Sequence, residues 1–188
     1  MELFVWTGVL SAHGLLAFAG VEHLRDREAL SVALRAQRAV PRSLVHPLTN
    51  LLAGAELLLG VGGVVGVIGF GSSAEAVRLL LAGAGVLFGA FALYSSFLLL
   101  KRPGAPCACG GGDHAANTWT VARAAVLMIA PLAAAAAVVP LRPWVSVGIE
   151  EVVTVLAAIA FGWIVWQFPA AVPDPYTRAR GVGVNVEL

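Results

Sequence analysis

Cys107 and Cys109 are the only cysteines in the chain, and one residue separates them in Pro106-Cys-Ala-Cys-Gly-Gly-Gly112. A disulfide between residues this close closes a very small ring, which stabilises a fold little and strains the bond. Strained, accessible disulfides are the labile and catalytic ones. Thiolate is the reactive form of cysteine, and neighbouring cations favour it. Lys101 and Arg102 precede the pair, His114 follows it, and Arg123 comes soon after. Gly110, Gly111 and Gly112 let the backbone bend so that a partner can reach the sulfurs. The spacing therefore points to thiol–disulfide exchange by Cys107 and Cys109, with Arg123 and His114 stabilising a thiolate. The same two sulfurs, with His114 or Asp113, also form a donor set for a soft ion such as Cu(I) or Hg(II). Two thiolates alone leave a structural zinc site incomplete.

The elements that must carry this loop are apolar. Of 188 residues, 59% are hydrophobic and 12% charged, about half the roughly 25% charge of soluble domains. Mean hydropathy is +0.86. A membrane span needs about 20 mostly apolar residues. Five such stretches can be drawn, over about 3–21, 47–70, 77–100, 119–139 and 145–168. The expected fold is an all-α integral membrane protein, a bundle of four to five transmembrane helices. It forms one domain over residues 1–170 with a polar tail over 171–188, and the Cys-x-Cys loop joins helices 3 and 4. Met1-Glu2 offers no positive leader, so the first span is expected to be retained. A net charge of +1 leaves no basic face for nucleic acid. The lipid bilayer is the expected partner.

Residues 22–46 hold Arg25, Arg27, Arg35, Arg38 and Arg42 with Leu30, Leu34 and Val40 between them. This pattern predicts an amphipathic segment on the membrane surface, ended by Pro41. Ten of the twelve basic residues fall on one side of the predicted spans, leaving Arg78 and Arg142 on the other. Positive charge marks the cytoplasmic side, so the N-terminus is expected outside a prokaryotic cell membrane and the cysteine loop at its cytoplasmic edge. Ionisable residues within spans are costly and point to function. Glu56 and His13 fall at similar depths in spans two and one, which predicts a pair able to carry a proton. Trp6, Trp119, Trp144, Trp163 and Trp166 fall near interfaces, as an aromatic belt requires. Such rings also suit a quinone, the one cofactor this chemistry suggests.

The run Phe18-Ala-Gly-Val-Glu-His-Leu-Arg-Asp-Arg-Glu-Ala-Leu30, then Pro41, then Glu56 within a span, resembles the DoxX-like membrane proteins. Cys107-Ala-Cys109-Gly110 followed by Trp119 and Arg123 resembles more narrowly the MauE family. The resemblance covers about residues 10–135. It implies four or five spans and thiol–disulfide handling during maturation of exported proteins, beside a thioredoxin-like partner. Carried over by position, it implies Cys107 and Cys109 as the dithiol, Arg123 near it, and Glu56 in the bundle. The chain departs from the expected Cys-Gly-Cys-Phe-Gly and Arg-Asn: it has Cys-Ala-Cys-Gly-Gly, and Ala124 after Arg123. Three functions follow as alternatives: a thiol–disulfide oxidoreductase, a soft-metal carrier using the same sulfurs, and a non-catalytic assembly subunit.

Overall fold

The computed structural model describes residues 2–68, 73–102, 105–106, 116–137 and 148–171. Six helices follow in order: α1 (Glu2–Arg25), α2 (Arg27–Gln37), α3 (Arg42–Ile68), α4 (Ala74–Lys101), α5 (Thr118–Ala136) and α6 (Ile149–Ala171). Among the described residues there is no β-strand. All but α2 are long and apolar enough to cross a membrane. An α-helix satisfies its backbone polar groups internally, which hydrocarbon demands. The chain is a multi-pass membrane protein and an all-α bundle. The tail from residue 172 lies outside the described residues.

The amphipathic segment is a shorter helix than expected. The Asp26 side chain caps α2 by accepting from Ala29 N at 2.9 Å. Arg38, at φ 51°, ends it in the left-handed region, three residues before Pro41. Leu30 and Leu34 pack on Val45, with Leu48 and Leu52 beside them. Those contacts lie on α3, which starts at Arg42 rather than at 47 and runs through Pro47. The early start is tolerated because Arg42, Ser43 and His46 are exposed. Arg35 Nη2 also donates to His46 Nε2 at 3.1 Å, tying α2 to the first turns of α3.

The first helix is the hub: α1 packs on α3, α5 and α6, and α4 lies along α5. Its buried residues Ala12 and Leu16 meet Ala84, Phe88 and Leu127 in the middle of the bundle. The outward faces are apolar too, with Leu51, Leu58, Leu79 and Leu93 all exposed, as a surface against lipid tails requires.

Where α1 crosses α3 the backbones nearly touch. A Cβ on Gly60 would collide with the backbone of Ala17, and one on Gly63 with the ring of His13. A Cβ on Gly20 would stand 2.8 Å from Leu57 N. Small residues permit such approach, and van der Waals contact then holds helices together in lipid. By contrast, a Cβ on Gly54 would meet nothing within 4 Å. Gly60→Ala is expected to cost about 1–3 kcal/mol by overpacking. Gly54→Ala should be neutral, or stabilise by up to about 1 kcal/mol through reduced backbone entropy. Thermal unfolding in detergent measures both; equal midpoints for the two variants would refute the close-packing account.

Candidate functional site

Because Ala17 faces Gly60 and His13 faces Gly63, the antiparallel register of α1 and α3 is fixed. Moving toward the C-terminal end of α1 brings residues nearer the start of α3 alongside. His23 thereby meets Glu56: its Nδ1–H donates to Glu56 Oε2 at 2.6 Å. Glu56 is 2% exposed and His23 13%. A buried carboxylate without a partner costs several kcal/mol, and this bond supplies one.

The expected pairing of Glu56 with His13 therefore gives way to one with His23. His13 sits on the Gly63 side of the contact, where its Nδ1–H donates to the Leu59 carbonyl at 2.8 Å. Its Nε2 is buried and has no partner among the described residues. The depth count behind the expected pair started α3 at 47, and the helix begins five residues earlier.

Beside the His23–Glu56 pair lies a cavity of about 40 Å³, room for more than one water-sized group. Ser95 of α4, Thr120 and Arg123 of α5, and Trp166 of α6 also line it. These residues come from the C-terminal ends of α1, α4 and α6 and the first turns of α5. The polar groups thus gather at one end of the bundle. Asn117 Oδ1 caps α5 by accepting from Thr120 N at 2.9 Å and from the Thr120 hydroxyl at 3.1 Å. The positive end of the α5 dipole therefore opens at this end. Arg123 lies 5.6 Å from the centre of the Trp166 ring, and its Nη1–H donates to the Trp166 carbonyl at 3.5 Å. Trp166 in turn meets Phe18 edge-on, with ring centres 5.0 Å apart. Ser95 Oγ is buried with no partner among the described residues.

The cysteine loop springs from this same end. Cys107, Cys109 and His114 lie outside the described residues, but both roots of their loop are within them. Ala116 N donates to the Ala105 carbonyl at 3.1 Å, so the loop leaves and returns at one point. Gln37, the last residue of α2 and 1% exposed, donates from Nε2 to the Pro106 carbonyl at 2.7 Å. The Tyr94 hydroxyl of α4 donates to Gln37 Oε1 at 2.5 Å. Leu98 and Ala116 pack against Tyr94 and Ala105 beneath. One turn separates Ala116 from Thr120 on the cavity wall, and Tyr94 adjoins Ser95.

Of the predicted site residues, Glu56 and Arg123 share the cavity, and His13 does not line it. Sequence reasoning set Trp166 in the aromatic belt and gave no site role to His23, Ser95, Gln37 or Tyr94. His23 carried a signal, since it follows Glu22 in a polar break at the end of a span. Gln37 and Tyr94 carried none, because their contacts join residues 57 and 69 positions apart.

Among known proteins, a family model described as "Methylamine utilisation protein MauE" matches residues 1–141. The chain matches no protein of curated function and no solved structure.

Removing one partner of a buried hydrogen bond leaves the other unsatisfied and costs about 1–3 kcal/mol, more where that group is charged, whereas replacing both by apolar groups can be nearly neutral. His23→Leu alone is therefore expected to lower stability by that amount, and His23→Leu with Glu56→Leu to restore most of it. A double-mutant cycle on unfolding in mixed micelles reads the coupling; additive losses would rule it out.

Proposed function

The chain belongs to the MauE family, and from that membership and the site above we propose that it is a membrane thiol–disulfide oxidoreductase. Cys107 and Cys109 are its redox pair. The observation that carries the reading is the fastening of their loop: Gln37, held by Tyr94, grips the Pro106 carbonyl next to Cys107. A flexible connection needs no such grip, whereas a reactive dithiol gains from being held in place.

In the exchange, a thiolate of a thioredoxin-like partner attacks the Cys107–Cys109 disulfide and forms a mixed disulfide. The partner's second thiol then displaces it, leaving the partner oxidised and Cys107 and Cys109 reduced. Arg123 and the α5 N-terminus supply positive charge at this end of the bundle, and His114 adds to it within the loop. Glu56 and His23, bonded to each other, hold a proton as the pair changes state. His13 keeps the contact with α3 on which that pairing depends. The bias of basic residues sets the loop at the cytoplasmic edge of a prokaryotic membrane with the N-terminus outside.

Cys107→Ser and Cys109→Ser are each expected to abolish exchange with thioredoxin. The wild-type pair should show a reversible two-electron midpoint in a glutathione redox series, read by mass-tagging of free thiols. Thiols that stay reduced in oxidising buffer yet bind stoichiometric Cu(I) would overturn the reading in favour of a soft-metal carrier. A double Cys→Ser variant that keeps its cellular function would favour an assembly subunit. Gln37→Ala should slow exchange with thioredoxin by about tenfold or more, since misplacement near 1 Å can cost up to about a hundredfold. Both thiols should remain open to a small maleimide in that variant; an unchanged exchange rate would count against the grip.

A further inference from the structure

The polar cavity shares part of its wall with a second space. Its wall residues Leu15 and Trp166 also line that larger space of about 610 Å³, bounded by α1, α6 and the far end of α3. That space is apolar: Gly14, Phe18, Leu156 and Ile159 are among its residues. Leu156, Ile159 and Trp163 on its α6 side are more than half exposed, so it opens on the lipid-facing surface. A lipid-facing groove thus meets, across Leu15 and Trp166, a buried cavity holding Ser95, Arg123 and the His23–Glu56 pair.

We propose that this composite site takes a lipid-soluble quinone, with its isoprenoid tail in the α1–α6 groove and a carbonyl edge of its ring in the polar cavity. Three observations select this occupant over an ordinary phospholipid. The buried end sets donors among apolar walls: the Ser95 hydroxyl has no partner among the described residues, and the Arg123 guanidinium stands at the same wall. Both suit a carbonyl oxygen. The aromatic rings of Phe18 and Trp166, in edge contact at the junction, suit a flat ring rather than a zwitterionic headgroup. The cavity adjoins the root of the dithiol loop, through Tyr94–Ser95 on one side and Ala116–Thr120 on the other.

The inference rests on the thiol–disulfide reading and names its electron acceptor. Each turnover forms one S–S bond between Cys107 and Cys109 and breaks two S–H bonds. The two electrons and two protons reduce the quinone to a quinol, with an O–H bond formed at each former carbonyl. The His23–Glu56 pair, in the cavity wall, passes a proton to the oxygen on its side. The quinol leaves through the groove by which the quinone came.

The test uses the full chain in nanodiscs, reduced and then titrated with decylubiquinone or with short-tailed, fully substituted ubiquinone-1, thiol oxidation being read by mass-tagging. Both quinones should oxidise the pair, decylubiquinone at lower concentration. A Cβ on Gly14 would meet nothing within 4 Å, so Gly14→Phe fills the groove without crowding the bundle. It should narrow the preference for decylubiquinone about tenfold, a loss of ~1.4 kcal/mol. Ser95→Ala should raise the half-saturating concentration of both quinones by about tenfold, the scale of one buried hydrogen bond. In parallel, an azido-decylquinone should photolabel α1 and α6 in the Cys107→Ser/Cys109→Ser protein, where no redox step can occur. No labelling there, together with intact thioredoxin exchange in the wild type, would overturn the quinone site and leave the thiol reading standing. Labelling with a wild-type dithiol that no quinone oxidises would overturn the transfer step. Loss of bound phospholipid in Gly14→Phe with quinone preference unchanged would assign the groove to lipid and also overturn the proposal.

Discussion

The close contact between α1 and α3 is the constraint on which the rest depends. With no side chain at Gly60, the two backbones approach until Ala17 blocks them, and Gly63 gives His13 a seat. In lipid there is little hydrophobic drive between helices, so shape has to do what burial does in water. A contact this tight tolerates little sliding. A one-residue shift would move every side chain by about 100° around its helix and about 1.5 Å along it. His23 would then lose Glu56, and the carboxyl would face hydrocarbon. Packing by the smallest residues thus fixes the position of the most polar ones.

The remaining elements build outward from that register. With α1 as hub, α5 and α6 place Arg123 and Trp166 near the end of α1 that carries His23, and α4 adds Ser95. The short helix α2 does not cross the bundle but packs on the first turns of α3 through Leu30 and Leu34. Its last residue, Gln37, is buried, and Arg38 turns the chain away immediately afterwards. Buried Ser11, His13 and Thr154 lie elsewhere in the spans, but the polar groups of the cavity and of the loop root keep together. These lie toward one end, facing inward, while much of the outer surface of the spans is apolar.

How much of this could be read from the chain depends on how local each signal is. The five spans were legible because each is a run of apolar residues about as long as a membrane is thick. Positions 107 and 109 stood out as a motif, and Arg123 and Glu56 as charges in or near spans; both line the same cavity. The partner of Glu56 was not legible. Depth had to be counted from the ends of two helices, and exposed polar residues hid the true start of α3. The pattern of hydropathy marks where hydrocarbon begins, not where a helix begins. The bonds from Gln37 to Pro106 and Tyr94 were beyond any periodicity argument, since they join three separate elements. Trp166 was assigned to the interface by its type alone, yet its ring lies beneath Arg123.

The joined root of the cysteine loop sets a leash length. Consecutive Cα atoms stand about 3.8 Å apart, so Cys107 begins one such step from the gripped Pro106 and Cys109 begins three, at most about 11 Å away. Chain length alone therefore keeps both residues near the grip on Pro106. Neither can travel out to meet a distant protein. Any macromolecule that exchanges with this pair has to dock against the end of the bundle itself, and the rim around Gln37 and Tyr94 forms part of the ground on which it lands.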